Sequence, residues 1–121
     1  MDTPPVELSA VELEILGILW TDHPRKPAEI EEALSRRIEN ATLRSILVGL
    51  VEKGYLKRDR VGKAYFYRPA RKASSVRRKI TDSLATIFAE GSRLGLIAQL
   101  IKDEKLSADQ VKELQKLADK D

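Results

Sequence analysis

The chain has 121 residues, of which 42% are hydrophobic and 34% are charged, a composition suited to one globular domain or a domain with a small appendage. It contains no cysteine, which excludes disulfides, thiolate metal sites and cysteine nucleophiles and fits a cytoplasmic location. The first ten residues show no basic segment followed by an apolar run, and no eighteen apolar residues run together. We therefore expect neither a secretory signal nor insertion into a membrane.

The net charge of +3 conceals a strong asymmetry along the chain. Residues 1–35 hold 2 basic and 8 acidic side chains (−6), and residues 36–79 hold 14 and 3 (+11). Residues 80–121 hold 6 and 8 (−2). A basic middle zone between two acidic ones predicts an anionic partner, although a solvated basic surface is the alternative interpretation.

Two short helices are predicted first. Ser9 and Glu12 have the spacing of a capping box, and Pro27 suits the first turn of a second helix from about Ala28 to Arg36. Acidic side chains on both helices are expected to be solvated. The predicted buried residues are Val11, Ile15, Ile18 and Leu19 in the first helix and Ile30, Ala33 and Leu34 in the second.

A third helix is predicted from an N-cap at Asn40 to about Lys53, with Gly54 as the left-handed residue that ends it. At 100° per residue its apolar side chains share one arc, and its small and polar ones lie opposite, with Arg44 at the margin. The apolar arc is Leu43, Ile46, Leu47, Leu50 and Val51, and the opposite arc is Ala41, Thr42, Ser45, Val48 and Gly49.

After Gly54 the apolar residues recur at every second position, as in a β-strand. The runs YLKRDR and KAYFYRP read as two strands joined at Val61-Gly62, a hairpin with basic residues on both arms. Three helices in a row followed by a basic hairpin are typical of a winged helix-turn-helix.

Helical periodicity returns after residue 74, beyond a proline-containing and charged segment at residues 69–75. We therefore predict a mainly α chain with a small β-hairpin wing, divided into a winged helix-turn-helix domain (1–72) and a helical domain (73–121). Three amphipathic helices in so few residues rarely stand alone, which favours dimerisation, with packing on their own N-terminal domain as the alternative. The predicted dimerisation residues are Ile80, Leu84, Ile87, Phe88, Leu96, Ile97, Leu100, Ile101, Val111, Leu114 and Leu117.

Catalysis is not expected. The only histidine, His23, lies among prolines, and no zinc-protease, paired-cysteine or phosphate-loop motif occurs. We predict no catalytic residue, no metal ligand and no cofactor.

A winged helix-turn-helix places its third helix in the major groove of double-stranded DNA and its wing on the sugar-phosphate backbone. For Tyr65 and Tyr67, strand packing is the more plausible role for at least one. The predicted DNA-binding residues are Asn40, Thr42, Arg44, Ser45, Lys57, Arg58, Arg60, Lys63 and Tyr65.

Three segments resemble the penicillinase-repressor (BlaI/MecI) family of bacterial regulators. They are LSAVELEILGILW, ATLRSILVGLVEKGYLKRD with GKAYFYRP, and LIAQLIKDEKLSADQVKELQKL, and the likeness runs from about Leu8 to Leu117. The resemblance implies a homodimeric repressor on a palindromic operator, with Thr42 and Arg44 as recognition-helix contacts.

The resemblance also implies relief by proteolysis in the dimerisation part, driven in some members by a membrane sensor peptidase. The Asn-Phe pair cleaved in those members is Gln99-Leu100 here. Gly49 stands where many relatives place arginine in the recognition helix, and the C-terminal cysteines of the copper-responsive branch are absent.

Two other functions fit the same pattern. A winged-helix module for protein interaction predicts basic residues spread around the fold. A ligand-sensing regulator predicts an apolar pocket near Ile87, Phe88, Leu96 and Ile97.

Overall fold

The computed structural model describes residues 7–120; most of the stretch on which the secretory-signal prediction depends, residues 1–6, lies outside them. The described residues form six helices and one two-stranded antiparallel sheet. In chain order the elements are α1 (Ala10–Thr21), α2 (Pro27–Ala33), α3 (Asn40–Glu52), β1 (Leu56–Val61), β2 (Ala64–Pro69), α4 (Ala73–Phe88), α5 (Arg93–Glu104) and α6 (Ala108–Asp119).

The chain divides into two compact units, Met1–Lys79 and Ile80–Asp121. The division falls inside α4, whereas the predicted domain boundary between residues 72 and 73 coincides with the start of that helix. The first unit contains the three N-terminal helices, the hairpin and the first two turns of α4. We call it the winged-helix unit.

α1 begins with the predicted capping box. The Glu12 backbone N–H donates to Ser9 Oγ at 3.1 Å, and the Ser9 N–H donates to Glu12 Oε1 at 2.8 Å. The buried face of the helix is formed by Ile15, Leu16 and Leu19, each 0% exposed. Leu16 was not among the predicted core residues, and Val11 and Ile18 are only half-buried. The buried face of α1 is therefore rotated about the helix axis relative to the predicted buried face.

α2 ends at Ala33, three residues before the predicted end, and Ala33 is exposed rather than buried. The cause is a tertiary contact. The Glu14 carboxylate on α1 accepts a hydrogen bond from the Ser35 N–H at 2.6 Å and lies 3.7 Å from the Arg36 guanidinium. Because the Ser35 N–H is taken by α1, it cannot extend the helical ladder.

The two acidic side chains of α1, Glu12 and Glu14, were expected to be solvated, and for both of them this was wrong. Besides its bond to Ser35, which holds the pKa of Glu14 below its ordinary value, Glu14 pairs with Arg36. Glu12 pairs with Lys53 at 2.8 Å. Glu12 and Glu14 therefore connect α1 to the segments on either side of α3.

α3 begins at Asn40, with Glu39 in the N-cap position and no side-chain cap. The prediction that Asn40 caps the helix was therefore wrong. Asn40 Oδ1 instead accepts a hydrogen bond from Arg44 Nε, one turn further on, at 2.7 Å. The predicted apolar face is present. Leu43, Leu47 and Leu50 are 0% exposed, and Ile46 and Val51 are half-buried.

The turn after α3 is the predicted one, and the hairpin is present with its turn one residue later than the predicted Val61-Gly62. Gly54 has φ +86°, the left-handed conformation expected of the residue that ends a helix. β1 and β2 pair in an antiparallel register from Leu56 opposite Pro69 to Val61 opposite Ala64, which leaves Gly62 and Lys63 as the two turn residues. Gly62 has φ +64°, as a tight hairpin turn requires. Arg25, between α1 and α2, adds one antiparallel bridge to Tyr67.

The core of the winged-helix unit is aliphatic, with two tyrosines. α1 and α2 pack against each other and against β2, while α3 packs on α2 and β1. The most deeply buried side chains are Ile15, Leu16, Leu19, Ile30, Leu43, Leu47, Leu50, Tyr55, Leu56 and Tyr67.

The second unit contains the rest of α4 with α5 and α6. Ser107 and Gln110 form the predicted capping box at α6, and Arg93 pairs with Asp82 at 3.0 Å. Ala85 and Leu96 are buried, but α6 buries no residue at all. Among the described residues, no single helix is long and apolar enough to cross a membrane, although α4 and α5 meet the length and composition criteria as a pair bent by 77°.

Two glycines of the winged-helix unit predict opposite effects of the same substitution. A Cβ added at Gly17, inside α1, would have no atom within 4 Å, so Gly17→Ala is expected to stabilise the fold by about 0.5–1 kcal/mol through helix propensity. Gly54→Ala is expected to destabilise it because the φ of +86° is costly for alanine. Urea denaturation of both variants measures the two free energies of unfolding. Equal effects would contradict the assigned backbone conformation at Gly54.

Candidate nucleic-acid interface

α3 carries four of the nine predicted DNA-binding residues, Asn40, Thr42, Arg44 and Ser45. Thr42, Arg44 and Ser45 are exposed, and Val48 and Gly49 are half-buried. Ser45 points most directly away from the buried leucines, while Arg44 and Val48 lie on the flank toward the hairpin and line one groove with it. This face is mostly small side chains with one cation at its edge, so it leaves room for another macromolecule to approach the helix backbone.

The hairpin has two chemically different faces. Directly paired residues share a face, so Arg58 with Tyr67 and Arg60 with Tyr65 lie together. Lys57 lies on the opposite face. That opposite face also carries Phe66, Arg68 and Asp59, the last two paired at 3.2 Å. The structure therefore separates Lys57 from the other predicted wing residues.

Tyr65 anchors both arginines of the first hairpin face. The guanidinium carbon of Arg58 lies 4.2 Å from the centre of the Tyr65 ring, and that of Arg60 lies 5.7 Å away. The Arg60 Nε–H also donates to the Gly62 carbonyl at 3.2 Å, and a hydrogen bond with Tyr67 raises the pKa of Arg58 above its ordinary value. Both arginines are thus held in defined positions with charge retained, as contacts to phosphate require.

A groove of about 320 Å³ joins α3 to this face of the hairpin. Four cations line it: Arg44 from α3, Arg58 and Lys63 from the hairpin, and Lys26 from the residue before α2. Its remaining walls are the two tyrosines and small or apolar side chains, namely Pro27, Ala28, Val48, Ala64, Tyr65 and Tyr67. Four positive charges over an apolar floor, with no acidic side chain among the lining residues, make a site for a polyanion.

Lys26 was not predicted as a DNA-binding residue, because it lies directly before α2 and outside the basic zone of residues 36–79. It enters the groove because the neighbouring Arg25 pairs with Tyr67 through two backbone hydrogen bonds of 3.0 and 2.8 Å. Its ammonium also lies 6.0 Å from the centre of the Phe66 ring. Only the tertiary bridge between these segments shows that Lys26 belongs to the same surface.

The predicted DNA-binding residues thus fall into three groups. Arg44, Arg58, Lys63 and Tyr65 line the groove, and Arg60 lies beside it on the same hairpin face. Asn40, Thr42 and Ser45 lie on α3 outside the groove lining. Lys57 lies on the other hairpin face, where it lines a separate depression with Asp59 and Arg68.

Many other cations of the basic zone are paired within the winged-helix unit. Arg36, Lys53, Arg68 and Lys79 each form an ion pair with an acidic side chain. Among the residues from 7 to 120, no cluster of three or more potential metal ligands occurs.

The three helices and the hairpin of the first unit have the arrangement of a winged-helix fold. Solved structures with the same fold include the transcriptional regulator Tm0710 from Thermotoga maritima, with a TM-score of 0.56 at 23% identity over 91% of this chain and 71% of that one. The multiple antibiotic-resistance repressor MarR from Listeria monocytogenes also has a TM-score of 0.56, at 14% identity over 93% of this chain and 70% of that one. At these identities the likeness establishes the fold.

Sequence comparison defines the family. A sequence profile of the penicillinase repressor family matches residues 8–120. The methicillin resistance regulatory protein MecI of Mammaliicoccus sciuri is 25% identical over 122 residues, 99% of each chain. The penicillinase repressor of Staphylococcus aureus is 23% identical over 116 residues, 94% of this chain and 92% of its own. The chain belongs to the penicillinase repressor family, a family of transcriptional regulators and not of enzymes.

Proposed function

We propose that this protein is a homodimeric transcriptional repressor that binds an inverted-repeat operator in double-stranded DNA, in the cytoplasm. The observation that carries the proposal is the groove, in which cations from α3, the hairpin and the start of α2 converge beside an exposed recognition helix. A major groove is wide enough to admit α3, and the hairpin cations then lie against the adjoining phosphates.

Arg44 is the proposed contact to a base. Asn40 Oδ1 occupies its Nε–H, so the two terminal nitrogens form the free end of the guanidinium, the geometry that bonds O6 and N7 of guanine. Asn40 is then a positioning residue, in place of the helix cap predicted from the sequence. Thr42 and Ser45 are proposed to contact phosphates or base edges from the exposed face.

The proposed homodimer forms through the second unit. Nine large apolar side chains there are at least 37% exposed in the single chain: Ile87, Phe88, Leu94, Ile97, Leu100, Ile101, Val111, Leu114 and Leu117. Eight of them were predicted for dimerisation, and Leu94, at 79% exposure, was not. So much apolar surface on one small unit is expected to be covered by a partner, and a second copy supplies an equal surface.

The proposed function does not include release from DNA by cleavage at Gln99-Leu100. The bond lies inside α5, where the Gln99 amide donates to the Phe88 carbonyl at 2.8 Å. Proteases favour exposed loops, so cutting there first requires the helix to open. The departure from Asn-Phe acts in the same direction.

If the groove is the DNA site, removing any one of its cations is expected to weaken DNA binding. A duplex enriched from a random library by the wild-type protein serves as the probe. Arg44→Ala, Lys63→Ala and Lys26→Ala are each expected to lower affinity and to reduce the salt slope by about 1, because each removes a phosphate or base contact. Lys120→Ala, which removes an equal charge after α6, is the control. Unchanged affinity and slope in all three would reject the groove as the DNA site.

A substitution at Gly49 tests whether this residue faces DNA, because an arginine there would add a contact to DNA. A Cβ at this position would have no atom within 4 Å, so a side chain can start there without a clash at its first atom. Gly49→Arg is expected to increase affinity at low salt and to steepen the salt slope by about 1. Gly49→Ala, which changes helix propensity alone, and Gly17→Arg, which adds the same charge to α1, are the controls. Equal slopes for the wild type and Gly49→Arg would show that residue 49 does not face DNA.

If the exposed apolar residues form the dimer interface, a charge placed among them is expected to lower the molecular mass of the protein in solution. Leu114→Asp places a charge in the exposed apolar stripe of α6 and is expected to shift the protein from dimer to monomer in sedimentation equilibrium. Lys116→Asp changes a side chain on the other side of α6 and is expected to leave the mass unchanged. A wild-type protein that sediments as a monomer at micromolar concentration would reject this part of the proposal.

A further inference from the structure

The groove between α3 and the hairpin has apolar and aromatic walls as well as cations. These walls come from the start of α2, from α3 and from β2, and consist of Pro27, Ala28, Val48, Ala64, Tyr65 and Tyr67. Phosphates bind to cations and hydrogen-bond donors, and a phosphodiester backbone is too polar to fill an apolar groove. The proposed contacts to DNA therefore use the cations of the groove and leave its apolar walls without a role.

The groove has the size and the mixed character of a small-molecule site. Its volume is about 320 Å³. Ligand pockets range over roughly 300–1,000 Å³ and are lined mainly by apolar and aromatic side chains, with a few polar or charged groups that orient the ligand. The lining residues that the structure describes include four cations and no acidic side chain. A ligand that matches both properties combines a negative charge with an apolar body, and an aromatic body suits walls that contain two tyrosines.

Arg58 is the cation of the groove that is best prepared to hold a carboxylate. Its guanidinium carbon lies 4.2 Å from the centre of the Tyr65 ring, and it shares a hydrogen bond with Tyr67, which is only 2% exposed. These two contacts order the guanidinium before a ligand arrives, so less side-chain freedom is lost on binding. A guanidinium can bond both oxygens of one carboxylate, which fixes the orientation of the acid.

We propose that the groove is also a binding site for a small aromatic carboxylic acid, which competes with DNA. The competition rests on the proposed function, whereas the binding does not. The carboxylate lies on Arg58, a cation proposed to face the phosphates, and the ring lies against the apolar walls beside Val48 of α3. DNA and the acid need the same cation and the same space, so a rising concentration of the acid releases the protein from its operator.

The test uses 2-naphthoate as the probe, added to the ¹⁵N-labelled full chain and followed through the backbone amide signals in NMR. The signals of Ala28, Val48 and Tyr65 are expected to shift and to saturate with a Kd on the order of 0.1–1 mM, as for other ligands of this size. Two related compounds separate charge from shape. 2-Naphthamide lacks the charge and acetate lacks the ring, and each is expected to bind at least about tenfold more weakly.

Three variants locate the bound probe. Arg58→Met removes the charge and keeps a long side chain, and it is expected to weaken 2-naphthoate binding by about tenfold. Ala28→Leu narrows the groove from α2 and is expected to weaken binding by about fivefold or more, because it fills space that the ring occupies. Ala33→Leu makes the same change at an exposed position of α2 outside the groove lining. As the matched control, it is expected to leave the Kd for 2-naphthoate unchanged.

A competition experiment then tests the effect on DNA. 2-Naphthoate is expected to release the enriched duplex from the wild type over the concentration range of its own Kd, and an equal concentration of sodium acetate controls for ionic strength. The inference is overturned if the groove signals do not shift, if acetate shifts them equally, or if the groove is saturated while the duplex stays bound. Each of these results leaves the proposed function standing. If the wild type enriches no duplex, the proposed function fails, and the NMR titration alone decides whether the groove binds the acid.

Discussion

The burial of three leucines along one side of α3 is the constraint on which the rest of the winged-helix unit depends. Leu43, Leu47 and Leu50 have no exposed surface and pack against α2 and β1. Because a helix turns 100° per residue, fixing this side toward the core fixes the opposite side outward. The position of Arg44 at the edge of the groove is a consequence of where the leucines lie. A large-to-small change among them costs about 2–5 kcal/mol in a typical core, so the orientation of α3 is strongly held.

Features decided by nearby residues could be predicted from the sequence. Both capping boxes, the glycine that ends α3 and the hairpin with a glycine in its turn depend on backbone geometry within a few residues, and the structure has all of them. The buried face of α3 was equally predictable because its apolar period is regular. The exposure of the C-terminal apolar side chains follows from the short length of their helices.

Features decided by contacts distant in sequence could not be predicted in this way. α2 stops early because Glu14, 21 residues before Ser35 in sequence, accepts the Ser35 N–H. Lys26 enters the groove because Arg25 pairs with Tyr67. Asn40 is a different case, because its partner Arg44 is only four residues away: the residue type suits an N-cap, yet the side chain bonds to Arg44 and the cap position falls one residue earlier.

The same distinction applies to charge. The basic zone of +11 suggested one large surface for an anionic partner, but part of it neutralises the acidic N-terminal third. Glu7, Glu12 and Glu14 bind Lys79, Lys53 and Arg36 respectively, and so join the N-terminal segment and α1 to α4 and to both ends of α3. The zone thus has two roles, since some of its cations hold the fold together while three others, Arg44, Arg58 and Lys63, converge on the groove. A count of charges along the chain overstates the anion-binding surface, because opposite charges from the acidic third have been brought against it by folding.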